Sequence, residues 1–252
     1  MIDENSTKAE VLEAVQQDGD ALAYASAKLK NDREVVLAAV RQSKYALYYA
    51  SEDLKNDREV VLEAVKQHGY ALVYASDELK GDREFMLEAV TENWLALEYV
   101  GTEFKDYKEV VLAVVKQDGW ELRFASLALK GNKEVVLAAV RQDVLALRYA
   151  SEALRNDREV VLEAVKQNGR ALEYASEYLR DDKDVVLAAV RQDGWAFRYA
   201  SKRLRGDREV ALAAVRQEGA VLYYASYASV ELQSEIVQCW ANAIEKETKN
   251  DR

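Results

Sequence analysis

Apolar residues recur along the chain in groups that a helix gathers on one side. In the stretch opening at Asn31, the residues Val35, Val36, Leu37, Ala39 and Val40 span about 200° at 100° per residue. Glu34, Ala38 and Arg41 share the remaining stripe. Farther on, Ala46, Leu47, Tyr49, Ala50, Ser51 and Leu54 span a second arc of about 200°, and Tyr45, Tyr48 and Glu52 face outward. The pattern returns every 25 residues: Asn31-Asp-Arg-Glu-Val-Val-Leu-Ala-Ala-Val40 is echoed by Asn56-Asp-Arg-Glu-Val-Val-Leu-Glu-Ala-Val65 and again from Asn156. Units begin at Ser6, Asn31, Asn56, Gly81, Asp106, Gly131, Asn156, Asp181 and Gly206. Positions within a unit are numbered 1 to 25 below.

Each unit is predicted to hold two short helices. Position 2 is Asp in six units, a residue whose carboxylate caps the free N–H groups of the turn that follows. The first helix runs for about ten residues and stops at position 14, which is Gly in six units. The second covers positions 15 to 24. Position 1 (Ser, Asn, Asp or Gly) suits a left-handed residue closing the preceding helix. An apolar arc this wide must be covered on two sides, and helices this short are marginal alone. The expected fold is therefore all-α, an α-solenoid of nine two-helix repeats in which each unit leans on its neighbours.

Residues 1–5 form an N-terminal extension, 6–230 a single solenoid domain, and 231–252 a C-terminal capping helix with a polar tail. Glu10, Asp20 and the Ala27-Lys28 pair replace more apolar residues in the first unit, as suits a face turned to water. Val230, Val237, Ala241 and Ile244 are expected to line the cap helix, with Ile236 and Trp240 beside them and Cys239 buried in it.

Composition narrows the function classes. The 252 residues carry 35 basic and 45 acidic side chains, a net charge of −10, which argues against a general nucleic-acid binder. No apolar run reaches about 18 residues, so no transmembrane helix is expected. The N-terminus lacks the layout of a secretory signal, and an intracellular protein is expected. One Cys (Cys239) and one His (His68, in a turn) exclude a disulfide framework and offer no metal-ligand spacing. No cofactor is expected, nor an enzyme, because no acid, base and nucleophile escape the repeat.

The repeated residues read first as structure. Tyr at position 19 (Tyr24, Tyr49, Tyr74, Tyr99, Tyr149, Tyr174, Tyr199 and Tyr224, with Phe124 in the remaining unit) falls inside the apolar arc and is assigned to the core. Gln at position 12 can satisfy loop backbone groups between units. Ser at position 21 is placed mid-helix, where it permits close approach or bonds back to a carbonyl. Basic residues at positions 25, 3 and 11 alternate with acids at 2 and 4 along a self-neutralised edge, and pairs such as Glu63–Lys66 read as ordinary helix-surface pairs.

The outward stripe at positions 15, 18 and 22 varies more. It brings out Tyr45, Tyr48, Tyr70, Trp120, Arg123, Arg148, Trp195 and Arg198, residue types that carry binding energy in interfaces. Glu98, Glu173 and Glu177 on the same stripe argue against a phosphate track.

The recurring string Ala-Leu-x-Tyr-Ala-Ser-x-x-Leu-Lys-Asn-Asp-Arg-Glu-Val-Val-Leu-x-Ala-Val-x-Gln-x-Gly, seen at Ala71–Ser76 and Ala171–Ser176 and in the units they lead into, resembles domain-of-unknown-function family 4116. The resemblance covers nearly the whole chain. It implies an α-helical repeat found in protists, large viruses and bacteria associated with such hosts, with no catalytic residue to transfer. The fourth unit departs from the pattern at Trp94, Val100 and Gly101, and Tyr107 stands where the next cap is usually Asp. The function expected is a non-catalytic, monomeric scaffold binding a protein or peptide. A self-assembling structural rod is the alternative, and nucleic-acid binding through Arg123, Arg148, Arg198 and Arg203 a poorer third.

Overall fold

The computed structural model describes residues 2–218 and, beyond them, Ser234, Val237, Gln238 and Ala241. The second half of the last repeat and the expected cap helix with Cys239 otherwise lie outside the described residues. The described residues are helical with short connections and contain no strand. The chain divides into two compact units, Met1–Ser126 and Leu127–Arg252, each taken by itself.

The secondary structure follows the 25-residue period, but a typical repeat holds three pieces rather than two. In the first unit one repeat runs as an α-helix Arg58–Gln67, a 3₁₀ helix Gly69–Tyr74 and a short α-helix Asp77–Gly81. In the second unit the matching pieces are Arg158–Gln167, Gly169–Tyr174 and Glu177–Arg180. The first helix starts where position 2 predicts: the Asp57 carboxylate accepts from the Val60 amide, and that of Asp157 from Glu159 and Val160. Tyr107, in the departing repeat, makes no such bond. In the first repeat Thr7 and Glu10 form a reciprocal cap, with Glu10 Oε2 accepting from the Thr7 amide at 2.7 Å, which explains an acid where other units have Val or Phe.

The ten-residue second helix is corrected by the structure. The chain turns extended at positions 20 and 21, and Ser at 21 caps the short helix instead of sitting inside one: Ser176 has φ −60° and ψ 159°, and its Oγ accepts from the Leu179 amide. The same hydroxyl donates to Asn156 at position 1, at 2.6 Å. The Ser176 amide donates to the Arg155 carbonyl at position 25 of the preceding repeat. Ser51 and Ser76 repeat all three bonds in the first unit, on Asn31 and Lys30 and on Asn56 and Lys55. The serine is thus a clamp between consecutive repeats.

Position 1 is corrected with it. Asn31 and Asn156 have φ of −103° and −101°, and no described residue has a positive φ. A short polar side chain is useful there as the acceptor of the serine hydroxyl, not as a left-handed residue. Glycine at position 14 answers to close approach: a methyl group on Gly169 would meet the backbone of Ala189 and Asp193 in the next repeat, at 3.1 Å from Ala189 C and Asp193 N.

Within each unit the first helix of one repeat packs on the first helix of the next, and the 3₁₀ segments stack alongside. Positions 5, 6, 9 and 10 are buried as expected, for example Val60, Val61, Ala64 and Val65 or Val160, Val161, Ala164 and Val165. Positions 16, 17, 20 and 24 complete the core, as in Ala71, Leu72, Ala75 and Leu79. Each buried apolar side chain contributes about 1.5–3 kcal/mol, which offsets the chain entropy only because two neighbours cover it.

Polar residues tie the repeats together. Gln at position 12 bonds as expected: Gln167 Nε2 donates to the Val140 carbonyl and Gln192 Nε2 to that of Gln167. Where Glu92 replaces Gln, the side chain of the neighbouring Asn93 donates through Nδ2 to the Val65 carbonyl instead. The charged edge is self-neutralised across repeats. Lys133 bridges Asp157 and Glu159 at 2.8 and 2.7 Å, and Lys8 bridges Asp32 and Glu34 at 2.7 and 2.9 Å. The expected Glu63–Lys66 pair is replaced by an inter-repeat one, Arg41 Nε to Glu63 at 2.7 Å, which holds the Glu63 carboxyl below the usual range.

Candidate functional site

A 3₁₀ helix has three residues per turn, so in the repeats with a 3₁₀ segment positions 15 and 18 eclipse each other on one edge while 16 and 17 turn inward. In the second repeat the segment is a single α turn, Ala46–Tyr49, with Tyr45 at its N-cap, and Ala46 and Leu47 are again buried. The extended break then carries position 22 away onto the short helix. The three-position stripe expected from a continuous helix is therefore a two-position ridge, with position 22 displayed separately, as by Leu127 at 86% exposed. Among the described residues the tyrosines at position 19 lie at the rim of this ridge, half-buried from Tyr49 to Tyr199, while Tyr224 lies outside the described residues. Tyr24 is 63% exposed, so the core assignment of this ladder is corrected. Of the candidate residues, Tyr45, Tyr48, Arg148 and Arg198 are exposed and Tyr70, Trp120, Arg123 and Trp195 half-buried.

In the first unit, positions 15, 18 and 19 of consecutive repeats converge into a tyrosine cluster. Tyr70 is its hub, packed edge-on against Tyr45, Tyr74 and Tyr99 with centroids 5.9, 5.6 and 5.1 Å away. Tyr48 joins through Tyr49 at 5.1 Å and Tyr74 at 5.4 Å. The Tyr74 hydroxyl donates to that of Tyr70 at 3.4 Å. Burial first, and that hydrogen bond second, push the Tyr74 phenol up to about 12. Burial also raises Tyr99, assisted by the neighbouring Glu98 carboxylate. Two amines rest over the rings: Lys44 Nζ lies 5.0 Å from Tyr45 and 5.6 Å from Tyr70, and Lys55 Nζ 5.7 Å from Tyr48.

The 3₁₀ helix Gly119–Phe124 carries Trp120 and Arg123. The Arg123 guanidinium lies 4.4 Å from the Phe124 ring and 5.9 Å from Trp120. It also pairs with Glu121 at 3.1 Å. Glu121 is 1% exposed and was not singled out from the sequence. It holds position 16, which is Ala in every other unit but the last, where it is Val221; that departure was the available signal. Its Oε2 has no hydrogen-bond partner among the described residues. Burial raises its carboxyl to about 7; Asp118 and Glu98 add to the rise, and Arg123 only partly opposes it.

In the second unit the candidates do not gather into one cluster. Arg198 lies 4.9 Å over the Tyr199 ring, whose phenol is raised by burial and by Glu173. The Trp195 amide donates to Asp193, which also pairs with Arg170 at 2.6 Å. Arg148 stands exposed on the ridge. A shallow groove of about 740 Å³ runs between two short helices, lined in part by Arg155, Asn156, Ser176, Tyr178 and Arg180.

The charge is unevenly divided. Residues 1–126 carry 25 acidic and 15 basic side chains, and residues 127–252 carry 20 of each, so the first unit holds the whole negative excess. Among the described residues no group of three His, Cys, Asp or Glu is placed to hold a metal ion. No described helix is long and apolar enough to cross a membrane.

No curated protein and no solved structure matches the chain. One family does, described as a domain of unknown function (DUF4116). Its pattern fits residues 11–55, 46–80, 57–105, 82–130, 107–155, 132–180 and 182–233, overlapping spans that step along the repeat. With this coverage, and with the helical repeat seen in both units, the chain belongs to the DUF4116 family.

Proposed function

We propose that the chain is an α-solenoid of nine repeats acting as a non-catalytic scaffold, and that it binds a protein or peptide along the outward ridge of its 3₁₀ segments. The observation that carries this reading is the contrast between the two sides of each segment. Positions 16 and 17 are almost uniformly Ala and Leu and, among the described residues, mostly buried, whereas positions 15 and 18 vary among Tyr, Trp, Arg, Leu, Glu, Asp, Val and Ala and reach the surface. Aromatic and arginine side chains on a rigid support, partly desolvated by one another, have the character of interface hot spots. The partner is a macromolecule rather than a small molecule, because the ridge is drawn out over successive repeats. Affinity capture with the full chain and with the Trp120→Ala/Trp195→Ala variant tests the reading, with circular dichroism to confirm that the variant is folded. Partner recovery should fall with the variant, and unchanged recovery refutes a role for the ridge. Light scattering across concentration should show a monomer, and growth in mass with concentration would favour a self-assembling rod instead.

A further inference from the structure

Lys44 is an exposed residue in a unit where acids outnumber bases by 25 to 15, yet it makes no salt bridge among the described residues. Its amine sits instead over two tyrosine rings, at 5.0 and 5.6 Å from Tyr45 and Tyr70. Tyr99, edge-on to Tyr70 at 5.1 Å, also feels the charge of that amine. Within this trio Tyr45 is 41% exposed and Tyr70 and Tyr99 are half-buried, and the negative face of an aromatic ring attracts a cation.

Similar pairings recur on the ridge of the first unit, with Lys55 over Tyr48 and Arg123 over Phe124 and Trp120. Lys44 and Arg123 each lie over two rings, but Arg123 is also paired with Glu121, whereas Lys44 is held by rings alone among the described residues. The Lys44 site also lies in the unit that holds the whole net negative charge of the chain. Both features select for a positively charged visitor, the rings at short range and the net charge at long range.

We propose that Tyr45, Tyr70 and Tyr99 form a receptor for a lysine or arginine side chain of the protein partner, with Lys44 as an internal occupant that the partner displaces. The inference rests on the scaffold reading above and adds the chemistry of the partner, a basic segment. Lys44 is tethered at the rim by a flexible four-carbon stem, so it swings aside without disturbing the buried Ala46 and Leu47. A partner cation then gains the ring faces and the acidic surround together.

The test uses the full chain with ¹³C-labelled tyrosine rings. It is titrated at low salt with an acetylated, amidated heptapeptide of alternating Gly and Lys, and with analogues carrying norleucine or Glu in place of Lys. The lysine peptide should shift the ring signals of Tyr45, Tyr70 and Tyr99. Lys44→Ala, which removes the internal competitor, should tighten binding about threefold or more, and Tyr45→Leu/Tyr70→Leu should weaken it about tenfold. Lysine-peptide affinity that is unmoved by the double leucine variant would be generic attraction to an acidic protein and would overturn the proposal. Weaker or unchanged binding by Lys44→Ala would also overturn it. If only the norleucine or Glu peptide shifts these rings, the cationic assignment falls and the peptide-binding scaffold stands. If none of the three does, the receptor is refuted, and the scaffold is judged by the tryptophan variant alone.

Discussion

Glu121 should make the stability of this protein fall as the pH rises through neutrality. Its carboxyl occupies a slot that is Ala in seven of the other eight units, is 1% exposed, and titrates near 7 against an ordinary value of 4.5. Arg123 lies 3.1 Å away but does not recover what burial costs the charged form. The folded-state value lies above the unfolded one, so the contribution is fully present below about pH 4.5. It is lost progressively as the pH rises through 7, and is absent beyond. A separation of about 2.5 units is worth about 3 kcal/mol at 1.36 kcal/mol per unit. Urea unfolding followed by tryptophan fluorescence, with Trp120 adjacent to the site, should show the parent losing stability between pH 5 and pH 8. Glu121→Gln keeps the shape without the ionisation and should be nearly flat. At pH 8 it should exceed the parent by up to about 3 kcal/mol, at pH 5 by about 1 kcal/mol or less, and at about pH 4 the two should nearly coincide. Because repeat arrays unfold in parts, amide exchange of Leu122 and Phe124 provides the local reading. Parallel pH profiles for parent and variant would show that the carboxyl is ionised and solvated, and the reasoning would fail.

Three further outcomes follow from the same geometry. Ser176→Ala removes the cap of the Glu177–Arg180 helix and the donor to Asn156, and should cost about 0.5–2 kcal/mol, read as faster amide exchange at Leu179. Gly169→Ala drives a methyl group into backbone that cannot yield and should lower the thermal midpoint. Gly81→Ala, with nothing within 4 Å of the added carbon in the Asp77–Gly81 helix, should leave the midpoint unchanged or raised by the equivalent of about 0.5–1 kcal/mol. In an alkaline titration followed at 295 nm, Tyr74 should ionise near pH 12, and Tyr70→Phe should bring it down by removing the acceptor of its hydrogen bond. That shift belongs to the folded chain, so the stability it represents is present below about pH 10 and lost as the pH rises through 12.

What the sequence determined by itself was local or periodic. The spacing of Val60, Val61, Ala64 and Val65 settles which face of the first helix is buried, because four residues at 100° steps point one way whatever surrounds them. Asp57 and Asp157 settle where that helix begins, because a cap acts only on the turn that follows it. The opposite charges at positions 2, 3 and 4 settled that the edge neutralises itself. Which acid meets which base needed the stack, as Arg41 reaching Glu63 shows.

The tertiary structure decided the second half of each repeat. Over six residues a 3₁₀ and an α-helix bury nearly the same side chains, so Gly69–Tyr74 could not be told from the start of a longer helix. The break at Ser76 depends on a bond to the Lys55 carbonyl of the preceding repeat, a partner absent from any local pattern. That break moves position 22 off the ridge, carries the tyrosines to the rim, and so forms the cluster around Tyr70. Glu121 was visible as an acid in place of Ala, but only close packing strips its carboxyl of water and makes it titrate near 7. Periodicity records which residues face inward; what each of them touches is set by neighbours about 25 residues away, through contacts that no single repeat contains.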